Sequence, residues 1–375
     1  MILTNARLVL PDEVLNGTIV LDGDRIADIQ PGRSAVPGAQ DMQGDTIMPG
    51  IIDVHTDNLE RQVQPRSNAR WPSRSAMLTH DAQCAASGVT TVFDALCIGD
   101  LGFDKARHKT FEDGVTDLDA LAGTGLLKSE HFLHLRCELP APNLLALFEP
   151  VADHPRVRMV SLMDHSPGMG QYANLDRYRA MRAREGHAPE WIERRIVELQ
   201  EQRNRTRDPN RRALLARLRG RHLALASHDD RTAEEIAENH RDGIGISEFP
   251  VSLLAATEAH ACGMMVIAGA PNIVRGGSHS GNVSAADLVR HGTVDAYASD
   301  YVPASLVEAV FAAMRQIGVG LPESVAMVTA NPARMAGLED RGRLASGLRA
   351  DLVRVTQFEE LAVVRQVWRA GERVI

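Results

Sequence analysis

Lysine is almost missing from this 375-residue chain: Lys105, Lys109 and Lys128 are the only three. The formal net charge of −8 argues against general nucleic-acid binding. Aromatic residues make up only 4% of the chain, so a core must rest on Leu, Val, Ile, Ala and Met. The four cysteines, Cys84, Cys97, Cys137 and Cys262, are far apart and form no Cys-x-x-Cys pair. That spacing excludes a disulfide framework and a zinc knuckle and suits a reducing compartment. No apolar run approaches the roughly 18 residues of a membrane span. Met1 leads straight into Ile-Leu-Thr-Asn without the basic and apolar regions of a signal peptide. A cytoplasmic protein with no membrane partner is expected.

The pattern that is present changes twice. Residues 1–48 hold short β-rich runs, Leu3 to Leu10, Thr18 to Leu21 and Arg25 to Ile29, separated by Pro-Asp, Asn-Gly and Asp-Gly turns. The same texture returns over 340–375, which predicts a small β-sandwich domain built from both chain termini. Between them, strands at 51–57, 89–95, 131–138, 157–164, 223–228, 244–248, 264–269 and 294–300 alternate with helical stretches. Eight such units predict an α/β fold, a (β/α)8 TIM-like barrel over 49–339, with its chemistry at the C-terminal strand ends.

One segment, at about 170–222, breaks the rhythm. From Asp176 to Arg221 there are 14 arginines against 7 acidic residues. Ile192, Ile196 and Leu199 have helical spacing, as do Leu214, Leu215 and Leu218, with Asp208-Pro-Asn210 between the two sets. This predicts an inserted helical hairpin broken near Pro209. Such an arm serves as a solvated or dimer-contact element, or as a lid whose arginines attract an anion.

The chemistry gathers at strand ends. Pro49-Gly-Ile-Ile-Asp-Val-His-Thr-Asp57 runs from a turn through an apolar strand into His55 and Asp57, and strict alternation puts Asp53 on their face. His134, Arg136 and Glu138 share one face of a later strand. His165 and His228 follow two others, and Asp300 ends the last. Histidines and carboxylates at five strand ends suit two divalent ions, Zn²⁺, Mn²⁺ or similar. His55, Asp57 and Asp300 form one expected ligand set. His165 and His228 form the other, with Glu138 bridging, and Asp300 doubles as general base. Arg275-Gly-Gly-Ser-His-Ser-Gly-Asn282 offers a fork donor, close backbone approach and further donors in Ser278, His279, Ser280 and Asn282, a combination that suits phosphate. Arg70 and Arg136 are expected to help. The Asp94 side chain steadies a ligand if it points inward, and His80 and Asp81 are expected to face solvent from a helix.

The Pro49–Asp57 stretch resembles the first-strand signature of the amidohydrolase superfamily. Asn331-Pro-Ala-Arg and Gly342-Arg-Leu-Ala-Ser-Gly-Leu-Arg-Ala-Asp-Leu-Val353 resemble its return to the small β domain. Asp57 replaces the commoner second histidine, and no lysine ends a candidate strand. Glu138 resembles the glutamate of the deacetylase-like branch, and Glu248 sits nearest the sixth-strand position. The stretches His55-Thr-Asp-Asn-Leu-Glu60, Arg70-Trp-Pro, His80-Asp-Ala-Gln, Gly88–Leu96 and Pro271–Ser284 are similar to a phosphonate-catabolism branch of that superfamily. That resemblance implies a metal-dependent diphosphatase acting on a phosphorylated sugar, a homodimer, and a functional link to carbon–phosphorus lyase pathway enzymes. Hydrolysis of a C–N bond, and a catalytically dead scaffold, are the alternatives.

Overall fold

The computed structural model describes residues 1–66, 69–102, 105–277 and 282–375. Its strands, in chain order, are β1 (Ile2–Val9), β2 (Val14–Asp22), β3 (Arg25–Pro31), β4 (Gln40–Asp41), β5 (Thr46–Pro49), β6 (Ile51–Thr56), β7 (Val89–Ile98) and β8 (Glu130–Glu138). They continue with β9 (Val157–Met163), β10 (Ala224–His228), β11 (Ile246–Glu248), β12 (Met265–Gly269), β13 (Ala296–Ala298), β14 (Leu352–Phe358), β15 (Leu361–Arg369) and β16 (Glu372–Arg373).

β6 to β13 pair in sequence order, all parallel, into one eight-stranded sheet. The sheet closes where Thr56 bridges to Asp300, with Asp57 N–H on the Asp300 carbonyl at 2.6 Å. This is the barrel that the alternating pattern predicts. Its lumen is filled from every strand, by Ile52, Val54, Phe93, Phe132, Met159, Ala226, Ile246, Ile267, Ala296 and Ala298. The other face of β8 (Leu133, Leu135, Cys137) packs outward into the helical layer.

The chain ends form a second sheet in the order β16-β15-β14-β5-β1-β2-β3, with β4 on β1. Expected as a sandwich, it is one continuous sheet that curls until Ile26 N–H meets the Leu348 carbonyl at 2.9 Å. Pairing shifts in β1–β2, β2–β3 and β14–β15 supply the bends, and Leu3, Leu8, Ile19, Ile47, Leu352 and Trp368 fill the inside. Gly50 is the single residue between the two sheets. A Cβ there would stand 2.2 Å from Thr90 Oγ1 and 2.8 Å from Asp351 Cβ, so the Pro-Gly turn answers to a close approach of backbone and side chains.

The Arg-rich segment differs from expectation. Leu175–Arg184 is one helix, and Pro189–Leu218 is a single 30-residue helix that runs through Pro209. A proline inside a helix costs about 3 kcal/mol, and the neighbouring residues offset it. Asn210 donates to the carbonyls of Leu139 and Ala141 at 2.8 and 2.9 Å, and Arg211 pairs with Asp242 at 2.7 Å. Among the described residues, no helix is long and apolar enough to cross a membrane.

Candidate metal centre

At the C-terminal mouth of the barrel lies a cavity of about 600 Å³. His55, Asp57, Arg136, Glu138, His165, His228 and Asp300 all line it, as does Asn282. Arg70 does not; it pairs with Asp113 at 2.8 Å and donates to Thr110. Arg275 is exposed at the end of a short helix and also lies outside the lining. Ser278, His279 and Ser280 lie outside the described residues.

Local backbone irregularity aims the key groups. Pairing of β6 with β7 shifts register between Asp53 and Thr56, so the strict alternation that grouped Asp53 with His55 fails. Asp53 instead accepts from Ser299 N–H at 3.1 Å and from its own neighbour, His55 N–H. Asp229, Phe249 and Asp300 each follow a strand with φ of 58°, 55° and 55°. That left-handed turn is costly for a side-chain-bearing residue and persists only where packing enforces it.

The three histidines are arranged alike. Each Nδ1 meets a carboxylate at hydrogen-bond distance: His55 with Glu248 at 2.7 Å, His228 with the other oxygen of Glu248 at 2.7 Å, and His165 with Glu138 at 2.6 Å. Each Nε2 faces a second carboxylate from farther off. His55 is 3.5 Å from Asp57, His165 is 3.8 Å from Asp229, and His228 is 3.8 Å from the other oxygen of Asp229. Those gaps are too long for hydrogen bonds. Two ligand atoms bound tetrahedrally about 2.1 Å from one ion are about 3.4 Å apart, close to what is seen. Asp229 Oδ2 is moreover buried with no hydrogen-bond partner. The donor set therefore fits divalent cations, in two groups: His55, Asp57 and Asp300, and His165, His228 and Asp229.

In place of the expected bridge between ions, the Glu138 oxygens are taken by the His165 ring and by His165 N–H at 2.9 Å, so Glu138 holds that imidazole in place. Asp229 and Glu248 complete the arrangement. Asp229 had a signal, the His228-Asp-Asp run at a strand end, but strand periodicity ceases there. The fully buried Glu248 supplies the sixth-strand group.

Charge is concentrated. Burial disfavours a proton on His55, yet Glu248 and Asp57 outweigh it and lift the imidazole to about 10. Burial also opposes ionisation of Asp57, but Arg136, donating at 2.6 Å, and His55 hold its carboxyl far below the usual range. Asp300 is pushed up by burial and by Asp57. Burial works against both members of the Glu138–His165 pair, but their attraction lowers the acid and raises the base. A cation entering here displaces protons from the histidines.

Behind the wall lies a second cluster. His80 and Asp81, expected on a solvent face, are buried. Asp94 points outward from the barrel and accepts from His80 Nε2 at 2.7 Å and His131 Nδ1 at 2.8 Å, while His131 Nε2 reaches Asp81 at 3.1 Å. His80 Nδ1 meets Asn58, the residue after Asp57, at 3.0 Å. The His80-Asp-Ala-Gln83 motif thus braces the turn that carries Asp57, since Gln83 also accepts from Asn58 at 3.1 Å.

The chain is 42% identical to the alpha-D-ribose 1-methylphosphonate 5-triphosphate diphosphatase of Escherichia coli strain K12 over 377 aligned residues, covering 100% of each. The chain belongs to the amidohydrolase family. The family's profile itself matches residues 269–375. Among solved amidohydrolase-like folds, 5-methylcytosine deaminase from Klebsiella pneumoniae superposes with a TM-score of 0.66 at 17% identity, covering 100% of this chain and 98% of that one. N-acetyl-D-glucosamine-6-phosphate deacetylase from Mycobacterium smegmatis does so with 0.65 at 19% identity, covering 100% of both. At those identities the likeness concerns the fold alone.

Proposed function

We propose that this amidohydrolase-family member is a metal-dependent diphosphatase that converts alpha-D-ribose 1-methylphosphonate 5-triphosphate to the 5-phosphate and diphosphate. The observation that carries the reading is the company the ligand groups keep. Arg107, Arg136 and Arg182 line the same cavity, paired with Glu60, Asp57 and Glu185, and their remaining guanidinium N–H groups suit a polyphosphate better than a neutral cyclic amide. The full-length likeness to the Escherichia coli diphosphatase supports it.

Six carboxylates line that cavity against three arginines, so the protein side chains alone would repel a triphosphate. Two divalent cations, when bound by the two groups described, supply the missing positive charge and acidify a water. The residues themselves do the rest. Arg136 holds Asp57, and Glu138 and Glu248 hold the imidazoles. Asp300 accepts the proton as water oxygen adds to the phosphorus nearest the ribose. The bond from that phosphorus to the bridging oxygen breaks, and diphosphate leaves. Tyr172, Arg182 and Glu185 belong to the inserted segment and form one wall, so the insertion faces the substrate. Arg182 is itself paired with Glu185 at 2.8 Å, and other arginines of the segment are paired as well, Arg203 with Asp164 and Arg207 with Glu238, each at 2.6 Å. Under this reading the protein works in the cytoplasm as a homodimer beside carbon–phosphorus lyase enzymes.

The test is a product assay on metal-replete protein with a ribose 5-triphosphate. Equal amounts of diphosphate and 5-phosphate are expected, with Asp300→Asn slower by about 10²–10⁴-fold, the usual worth of a general base. Orthophosphate release, turnover of cyclic amides instead, or full activity in Asp300→Asn would refute it.

A further inference from the structure

One carboxylate stands between the two ligand groups. Glu248 is fully buried at the end of β11, and its two oxygens are shared out, Oε1 to His55 Nδ1 and Oε2 to His228 Nδ1, both at 2.7 Å. His55 belongs to the group with Asp57 and Asp300, and His228 to the group with His165 and Asp229. The rings lie nearly parallel, 5.8 Å between centroids and 21° between planes, and Phe249 packs edge-on against each. We propose that Glu248 is a shared positioning residue: by accepting from Nδ1 of both imidazoles it sets the same tautomer in each and turns both Nε2 atoms to the cavity, so that the two ion sites form together.

The inference rests on the two-ion reading and goes beyond it. A neutral imidazole has one protonated and one free nitrogen, and only the free one binds metal. A carboxylate accepts at both oxygens, so it puts the proton on Nδ1 in both rings. An amide of the same shape cannot. Its oxygen accepts from one ring, while its NH₂ obliges the other to offer a bare Nδ1 and carry the proton on Nε2. That second ring is then unable to ligate. Glu248→Gln should therefore cost one ion and spare the other, without leaving a buried polar atom unpaired. Glu248→Ala removes the constraint from both rings and should weaken both sites, each by about 10–100-fold, as loss of such an orienting partner typically does.

The experiment measures zinc bound per chain by mass spectrometry, and zinc affinity by competition with a chelator, for wild type, Glu248→Gln and Glu248→Ala. Expected values are two ions, one ion, and two weakened sites. Two ions held with wild-type affinity by Glu248→Gln would overturn this proposal while leaving the two-ion reading intact. Wild type that binds no zinc would overturn both. Should the variants not fold, long-range ¹⁵N–¹H spectra of zinc-loaded wild type decide the matter. Protons on Nδ1 of both His55 and His228 support the proposal, and a proton on Nε2 of either refutes it.

Discussion

Asp94→Asn offers a sharp test of how the site is braced from behind. Asp94 is buried and divides its oxygens between His80 and His131. Burial disfavours charge on His131, but Asp94 and Asp81 outweigh it and lift the imidazole to about 9 from 6.5. Removing one partner of a buried ion pair costs about 3–5 kcal/mol, and the low end applies because Asp81 still faces His131. Unfolding entropy of about 2.1 cal/mol/K per residue gives about 0.8 kcal/mol/K over this chain, so Tm should fall by about 4 °C. The pH profile adds a signature. His131 is raised in the folded state, so its contribution is complete below about pH 6.5 and lost as pH rises through about 9. Asp94 is depressed from 3.8, despite burial, by His131 and His80. Its contribution is present above that value and lost as pH falls below it. The gap between wild type and variant is therefore widest between about pH 4 and 6.5 and closes towards pH 10. Calorimetry of both proteins across that range measures it. A fall under about 1 °C, or a gap that does not narrow above pH 6.5, refutes the reasoning.

Two further substitutions separate ion binding from substrate binding. Asp229→Asn should lower affinity at the ion site it shares with His165 and His228 by at least about tenfold, read by chelator competition, while the site at His55 is retained; unchanged affinity would remove Asp229 from the ligand set. Arg182→Met should lower kcat/KM for the triphosphate by about 10–100-fold, the worth of about 1.5–3 kcal/mol for a hydrogen bond to a charged group, with metal content unchanged. A change below about twofold would make the inserted helix a wall without a binding role.

The outcomes divide by how far apart in the chain the deciding contacts lie. Along β8, the alternation of Phe132, His134, Arg136 and Glu138 with Leu133, Leu135 and Cys137 was plain from the residues alone, because a pleated strand obeys a period of two. The eight barrel strands were legible for the same local reason, as were His55, Asp57, His165, His228 and Asp300 at their ends. Periodicity stops where strands do. Asp229 points into the site through one left-handed residue, and Asp53 leaves it because of a register shift against β7. Helix faces proved ambiguous as well, since nothing near His80 and Asp81 announces that His131, some 50 residues later, will cover them. Pro209 reads as a breaker until Leu139 and Ala141 accept from its neighbour Asn210.

Sequence by itself thus determined the barrel and the histidines and carboxylates at its mouth, because these follow from strand period and from residue chemistry. Tertiary structure alone decided what each carboxylate does. Glu138 holds His165, and Glu248 joins His55 to His228 across 193 and 20 residues of chain. A buried carboxylate is assigned by the donors that closure of the sheet brings to it, and no spacing along the chain records which donors those will be.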